Sequence, residues 1–249
     1  MRILVTGGAG YLGSEVCRQA VEAGQDVVAT ELHTRATSGR GLRLDVREEL
    51  DFRELEPDVV VHTAYVMSDV ETIVRGTRNV AAAAERAGAR LVHISTDLVF
   101  DGDEGAPYRE EDEPRPVSEY GRAKLAAEGL AGHDALIVRT SLLYGKPGPQ
   151  EALAARGDVV FHEDEIRCPT HVSDLAAALL ELAALDEVGV LHVAAPDAVS
   201  RLELARLLGA RDPQGAPAPP GRARNVALDS SRAASLLATR LRGIREIKR

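Results

Sequence analysis

The chain has 249 residues, 45% of them hydrophobic, which is enough for one large domain or one domain with an annex. A formal charge of −9 argues against a nucleic-acid binder, whose footprint is basic, and gives no attraction to an anionic membrane surface. Aromatics at 3% make any core aliphatic, and two cysteines, Cys17 and Cys168, are too few for a disulfide scaffold. Both read as buried thiols in a reducing cytoplasm. The opening apolar run "MRILVTGGAG" breaks at glycines, and the Ala-rich stretch 175–185 is interrupted by Glu181, so neither a signal peptide nor a membrane span is expected.

Short apolar runs alternate with helix-length segments. "RILVT" (2–6) predicts a buried strand, followed by glycines and the helix "LGSEVCRQAVEAG". Further strands are expected at 26–31, 41–46, 57–64, 89–95 and 135–141, with a helix around 70–87 ended by Gly88. Strands that read as continuous apolar runs and alternate with helices imply a parallel sheet covered on both faces. The fold class is therefore doubly wound α/β. After residue 145 the rhythm loosens: a short strand in "GDVVFHEDE", a helix in "THVSDLAAALLELAAL", a strand in "GVLHVAA". "SRLELARLLG" opens with a capping box, Ser200 with Glu203, and "DSSRAASLLATRL" predicts a last helix capped by Asp229 or Ser230. Residues 1–145 are read as a dinucleotide-binding domain and 146–249 as a small lobe partly returning to the sheet.

"VTGGAGYLG" (5–13) joins the first strand to the first helix. A tight turn, a backbone approaching a pyrophosphate and close helix–strand packing each exclude a Cβ, which suits Gly7, Gly10 and Gly13. The N–H groups of the following turn, from Tyr11 and Leu12 onward, then face the phosphates. Glu31 closes the second strand, where a carboxylate accepts both ribose hydroxyls of NAD and repels a 2′-phosphate; Arg35, four residues on, could instead grip the phosphate of NADP. NAD is favoured. Asp45 and Val46 are placed to meet the adenine, and Thr63, Ala64 and Tyr65 to run along the pyrophosphate and ribose. Each of these alone is an ordinary loop residue. The acidic runs "EEDE" and "HEDE" read as solvated loops, and the histidine spacing carries no metal signature.

"SEYGRAKLAAE" (118–128) sets Tyr120 four positions before Lys124, in a chain with only two other lysines, Lys146 and Lys248. A surface contact is the plain reading. Residues four apart share a helix face, however, and an ammonium beside a phenol favours its ionised form. Such a phenol can give its proton to a carbonyl oxygen as hydride arrives from nicotinamide, while the lysine holds the ribose. Ser95 and Thr96 end the fifth strand and offer hydroxyls to orient that carbonyl.

With T-G-G-x-G-x-L-G at the start, S-T-D-x-V-F-D-G at 95–102 and Y-G-x-x-K-L-x-x-E at 120–128, the chain resembles the extended short-chain dehydrogenase/reductases. Within them it is similar to the dTDP-4-dehydrorhamnose reductase family, and the likeness runs on through "RTSLLYG", "RCPTHVSDLA" and "RNVALDSSRAASLL". The resemblance implies a Rossmann fold, a sugar-nucleotide 4-ketoreductase using NAD or NADP, and Thr96, Tyr120 and Lys124 as catalytic residues. It also implies substrate contacts from Asp97 and Arg167, and it is compatible with a homodimer. Ile73 stands where related enzymes often carry an asparagine, which puts a proton relay through that position in doubt. Related dehydratases place an Asp-Glu pair after the threonine; here Asp97 is followed by Leu98, so dehydration is not expected. Two alternatives stay open: an epimerase, and a non-catalytic protein resembling the regulatory subunit of methionine adenosyltransferase.

Overall fold

The computed structural model describes residues 1–103, 107–145 and 147–248. β1 (Arg2–Thr6), β2 (Asp26–Glu31), β3 (Arg40–Arg43), β4 (Val59–His62), β5 (Arg90–Thr96), β6 (Leu136–Thr140) and the strand Gly189–His192 form one seven-stranded sheet. The spatial order runs from Gly189–His192 through β6, β5, β4, β1 and β2 to β3. The pairings β3–β2, β2–β1, β1–β4 and β4–β5 are all parallel. Between β1 and β4 the direction of winding reverses, which is where doubly wound sheets of this order bind dinucleotides. The doubly wound α/β reading is the observed fold.

The strands form where apolar β-branched residues run together. β1, β2 and β4 contribute Leu4, Val28 and Val60 to a cluster with Phe52, Val80, Leu91 and Ile137, all buried. Helix α1 (Tyr11–Glu22) follows β1 directly. Helix α2 (Val70–Arg86) begins where the Asp69 carboxylate accepts from the N–H groups of Glu71 and Thr72, at 3.0 and 3.2 Å. It ends before Gly88, whose φ of +66° is the left-handed turn that a glycine takes at no steric cost. The third strand stops at Arg43 rather than running to 46, because Asp45 turns back to bind Arg47 and Val46 drops into the core.

The chain divides into two compact units, though not at a single boundary after residue 145. One unit comprises residues 1–95, 123–138 and 176–190; the other comprises 96–122, 139–175 and 191–249. The chain crosses between them within β5, helix α3 (Glu119–Glu128), β6, the helix Val172–Ala183 and the strand Gly189–His192, so a linear reading could not place the division. In the second unit short strands pair locally: Leu143–Tyr144 with Thr170–His171, Ile166–Arg167 with Val199–Ser200, and Val160–His162 with Gln214–Ala216. Ser200 caps the helix Arg201–Leu207 by accepting from the Glu203 N–H at 3.1 Å, the first half of the expected capping box. The last expected helix is shorter than its pattern, Ser231–Leu236, because Leu237 turns to an extended backbone; Asp229, not Ser230, accepts from its first N–H. Both cysteines are buried, and burial pushes the Cys17 thiol up to about 12 and the Cys168 thiol up to about 11. Among the described residues no helix is long and apolar enough to cross a membrane.

Candidate active site

The glycine turn is built in the first unit. Gly7 sits at φ +70°, and a Cβ there would lie 2.8 Å from the Ala64 Cα. A Cβ on Gly13 would strike the Gly7 carbonyl, and one on Gly8 would lie 2.7 Å from the Ala29 Cβ. The turn is tied by the Gly10 N–H to the Gly7 carbonyl at 2.8 Å, the Gly7 N–H to Thr30 Oγ1 at 2.9 Å, and the Thr63 hydroxyl to the Thr6 carbonyl at 2.7 Å. Helix α1 then begins at Tyr11 with no side-chain cap, so no side chain of its own competes for the helix N-terminus. A bare-backbone cradle leading into an uncapped helix start fits a dinucleotide pyrophosphate.

The other residues expected at the cofactor take different places. One oxygen of Glu31, at the end of β2, accepts from the Ala36 N–H at 2.6 Å and so pins the loop carrying Arg35. Asp45 is bound two-pronged by Arg47, at 3.0 and 2.7 Å, and that guanidinium holds its carboxyl below the usual range. The Val46 side chain is core, packed against Gly76, and its carbonyl accepts from Asn79 Nδ2 at 3.0 Å. Tyr65 is 47% exposed, and the Lys124 Nζ lies 5.3 Å from its ring centre.

Lys124 occupies the interior of the first unit. It is 5% exposed and donates to the Ile94 carbonyl at 2.5 Å. Burial pulls its ammonium down to about 8, while Glu128 works in the other direction. His62 and His93 face each other across β4 and β5, with ring centres 5.2 Å apart. The His62 ring nitrogens meet Thr6 Oγ1 at 2.6 Å and Thr77 Oγ1 at 3.1 Å, whereas both ring nitrogens of His93 lack a hydrogen-bond partner. Burial, and secondarily the Lys124 charge, keep both imidazoles neutral: His62 is pulled down to about 3 and His93 well below its ordinary value. Sequence reasoning missed this pair. Its only trace was a histidine at the same register in two adjacent apolar strands.

Thr96 and Tyr120 belong to the second unit. Thr96 Oγ1 accepts from the Leu98 N–H at 3.2 Å and donates to Asp97 Oδ1 at 3.1 Å. Asp97 is fully buried and takes Arg167 two-pronged, with Nε to Oδ2 at 2.7 Å and Nη2 on Oδ1. The Ser141 hydroxyl donates to Asp97 Oδ2 at 2.5 Å. Burial opposes the Arg167 charge, but Asp97 and then Glu165 outweigh it, and the Tyr120 phenol adds to the same effect. Asp97 and Arg167, expected at the substrate, are thus bound to each other. Tyr120 is half-buried on the first turn of α3, one turn before Lys124. Ser95 does not join Thr96; its hydroxyl donates to Glu128 at 2.5 Å. Ile73 is a buried core residue with no polar side-chain group. Among the described residues no group of three or more His, Cys, Asp or Glu is placed to hold a metal ion.

The strand order and the glycine turn define a Rossmann-type dinucleotide-binding protein. The chain belongs to the family described as RmlD substrate binding domain, whose model matches residues 1–243. It is 36% identical to the dTDP-4-dehydrorhamnose reductase of Mycobacterium tuberculosis (strain ATCC 25618 / H37Rv), over 82% of this chain and 73% of that one. Among solved structures, MoeE5 in complex with UDP-glucuronic acid and NAD superposes with a TM-score of 0.85 at 27% identity, covering 99% of this chain and 96% of that one. The dTDP-4-dehydrorhamnose reductase of Bacillus anthracis str. Ames, in complex with NADP, gives 0.78 at 25% identity, covering 99% and 96%.

Proposed function

We propose that the protein is an NAD(P)H-dependent reductase of a 4-keto sugar nucleotide of the dTDP-4-dehydro-6-deoxyhexose type. The observation that carries this reading is the joint presence of the bare glycine cradle and of Tyr120 and Lys124 one turn apart on α3. Relatives named as dTDP-4-dehydrorhamnose reductase and as dTDP-4-keto-6-deoxy-D-glucose reductase support the substrate class. The acidic balance of −9 supports a small-molecule substrate rather than a nucleic acid or a membrane.

When bound, the reduced nicotinamide supplies the hydride. The chain supplies the rest. Gly7, Gly10 and Gly13 let the backbone meet the pyrophosphate, and Glu31 accepts from the ribose hydroxyls through the oxygen that does not hold Ala36. Thr96 swings its hydroxyl proton from Asp97 to the ketone oxygen and fixes the carbonyl. Tyr120 gives its phenolic proton to that oxygen as it becomes the alcohol. Lys124 holds the nicotinamide ribose and favours the phenolate left on Tyr120. Asp97 and Arg167 act behind Thr96 rather than on the sugar. The test is oxidation of NADH or NADPH, followed at 340 nm, with a panel of dTDP- and UDP-linked 4-keto sugars. Turnover with a dTDP-4-keto-6-deoxy sugar is the expected result, and no turnover with any member, despite cofactor binding, would return the protein to a non-catalytic role.

A further inference from the structure

We infer that Glu128 is a positioning residue for Lys124: its carboxylate, anchored by Ser95, is the counter-charge that keeps the ammonium charged within a closed slot. This rests on the function proposed above, in which Lys124 must carry a proton to assist Tyr120. The slot is walled by four elements. β4 contributes His62, the residues after β4 contribute Tyr65, β5 contributes His93 and the Ile94 carbonyl, and α3 contributes Glu128 one turn after Lys124.

The imidazoles supply no negative charge. Both are buried and neutral, and the lysine itself drives them further from protonation. The Ile94 carbonyl and the Tyr65 ring supply partial charge only. Glu128 is 7% exposed, lies on the same helical stripe and favours the Lys124 charge against burial. Its Oε1 accepts the Ser95 hydroxyl at 2.5 Å, which fixes the side chain where it can act. A buried pair of opposite charges contributes little to stability compared with apolar residues of the same size. Its use here is electrostatic: burial pulls the lysine down to about 8, and the carboxylate one turn away opposes that pull.

The chain has only three lysines, Lys124, Lys146 and Lys248, so the titration can be read directly. In protein labelled with [ε-13C]lysine, Lys146→Arg and Lys248→Arg assign the Lys124 signal, which is then followed from pH 6 to 11. The wild-type midpoint is expected near 8. Glu128→Gln keeps the shape and an acceptor for Ser95 but removes the charge, and should lower the midpoint by about one pH unit or more. The alkaline limb of NADH binding should move with it. Should that variant fail to fold, Glu128→Asp, which draws the carboxylate back, should give a smaller shift in the same direction. An unchanged Lys124 midpoint in either folded variant overturns the proposal. The titration needs no substrate, so a protein inactive on every keto sugar would refute the function while leaving the test of Glu128 intact.

Discussion

Asp97 and Arg167 close on each other two-pronged in a site sealed from water, at 0% and 4% exposure. The same carboxylate receives the hydroxyls of Thr96 and Ser141, so one buried pair sets the rotamer of the residue proposed to orient the ketone. Arg167→Met would strand a charge with no solvent to stabilise it. The expected cost is about 3–5 kcal/mol, the usual effect of breaking a buried pair from one side. Chemical denaturation checks it: a loss below about 1 kcal/mol would mean that Arg167 is not the required partner of Asp97. Arg167→Lys should recover only part of the loss, because an ammonium cannot match the fork.

Tyr120→Phe removes one oxygen from a half-buried position and little packing. Cofactor affinity should survive, while turnover should fall roughly 100-fold or more, the usual contribution of a positioned acid. Measured NADH binding together with kcat decides it. Near-normal turnover in this variant would remove Tyr120 as the proton donor.

The alternating strands were legible because β1, β2 and β4 carry runs of apolar residues, Ile3–Val5, Val27–Ala29 and Val59–Val61, set between helix-length segments. Tyr120 and Lys124 were legible because helical periodicity converts a spacing of four into a shared face. Other contacts, like the His62–His93 pair, were not. The Asp97–Arg167 pair spans 70 positions, with Arg167 on the short strand Ile166–Arg167 that pairs with Val199–Ser200. The capture of Asp45 by Arg47 is a local hydrogen-bonding choice that leaves no periodic signal. Glu128 is held by Ser95, 33 positions away on β5, a contact with no local signal in the sequence.

Cofactor preference turns on the end of β2. If Glu31 accepts from the adenosine ribose, NADH should bind more tightly than NADPH, and Glu31→Ala should narrow the gap by roughly 1.5–3 kcal/mol. Because Glu31 also holds the Ala36 N–H, the variant should loosen the loop bearing Arg35 as well. Isothermal titration with both cofactors is the measurement. Tighter NADPH binding by the unmodified protein would pass the decision to Arg35.

Acid should weaken the fold through its buried imidazoles. His62 is pulled down to about 3 and His93 also lies well below 6.5, so the unfolded chain takes up protons that the folded chain refuses. The stability is fully present above about pH 6.5 and is lost as pH falls from there toward 3, by about 1.4 kcal/mol for each unit per histidine. His93→Phe replaces a ring with two unpartnered nitrogens by an apolar one. It should be neutral to stabilising at pH 7 and should flatten the melting-temperature profile between pH 4 and 6.5. A profile identical to the wild type would show that His93 does not report on the transition.

Lys124→Arg keeps a positive charge, so long-range attraction alone would leave activity nearly intact. The slot argues otherwise. Lys124 is 5% exposed and ends against the Ile94 carbonyl at 2.5 Å, with the Tyr65 ring over it, which leaves no room for a planar guanidinium. The larger head must either push β4 and β5 apart at His62 and His93 or swing out of the slot. It cannot rotate three donors between ribose and phenol, nor give up its proton as pH rises. NADH affinity and turnover should both fall, and the alkaline limb set by a lysine near 8 should disappear from the pH–rate profile. If the variant kept wild-type binding, turnover and limb, Lys124 would be a buried structural cation without a part in the reaction.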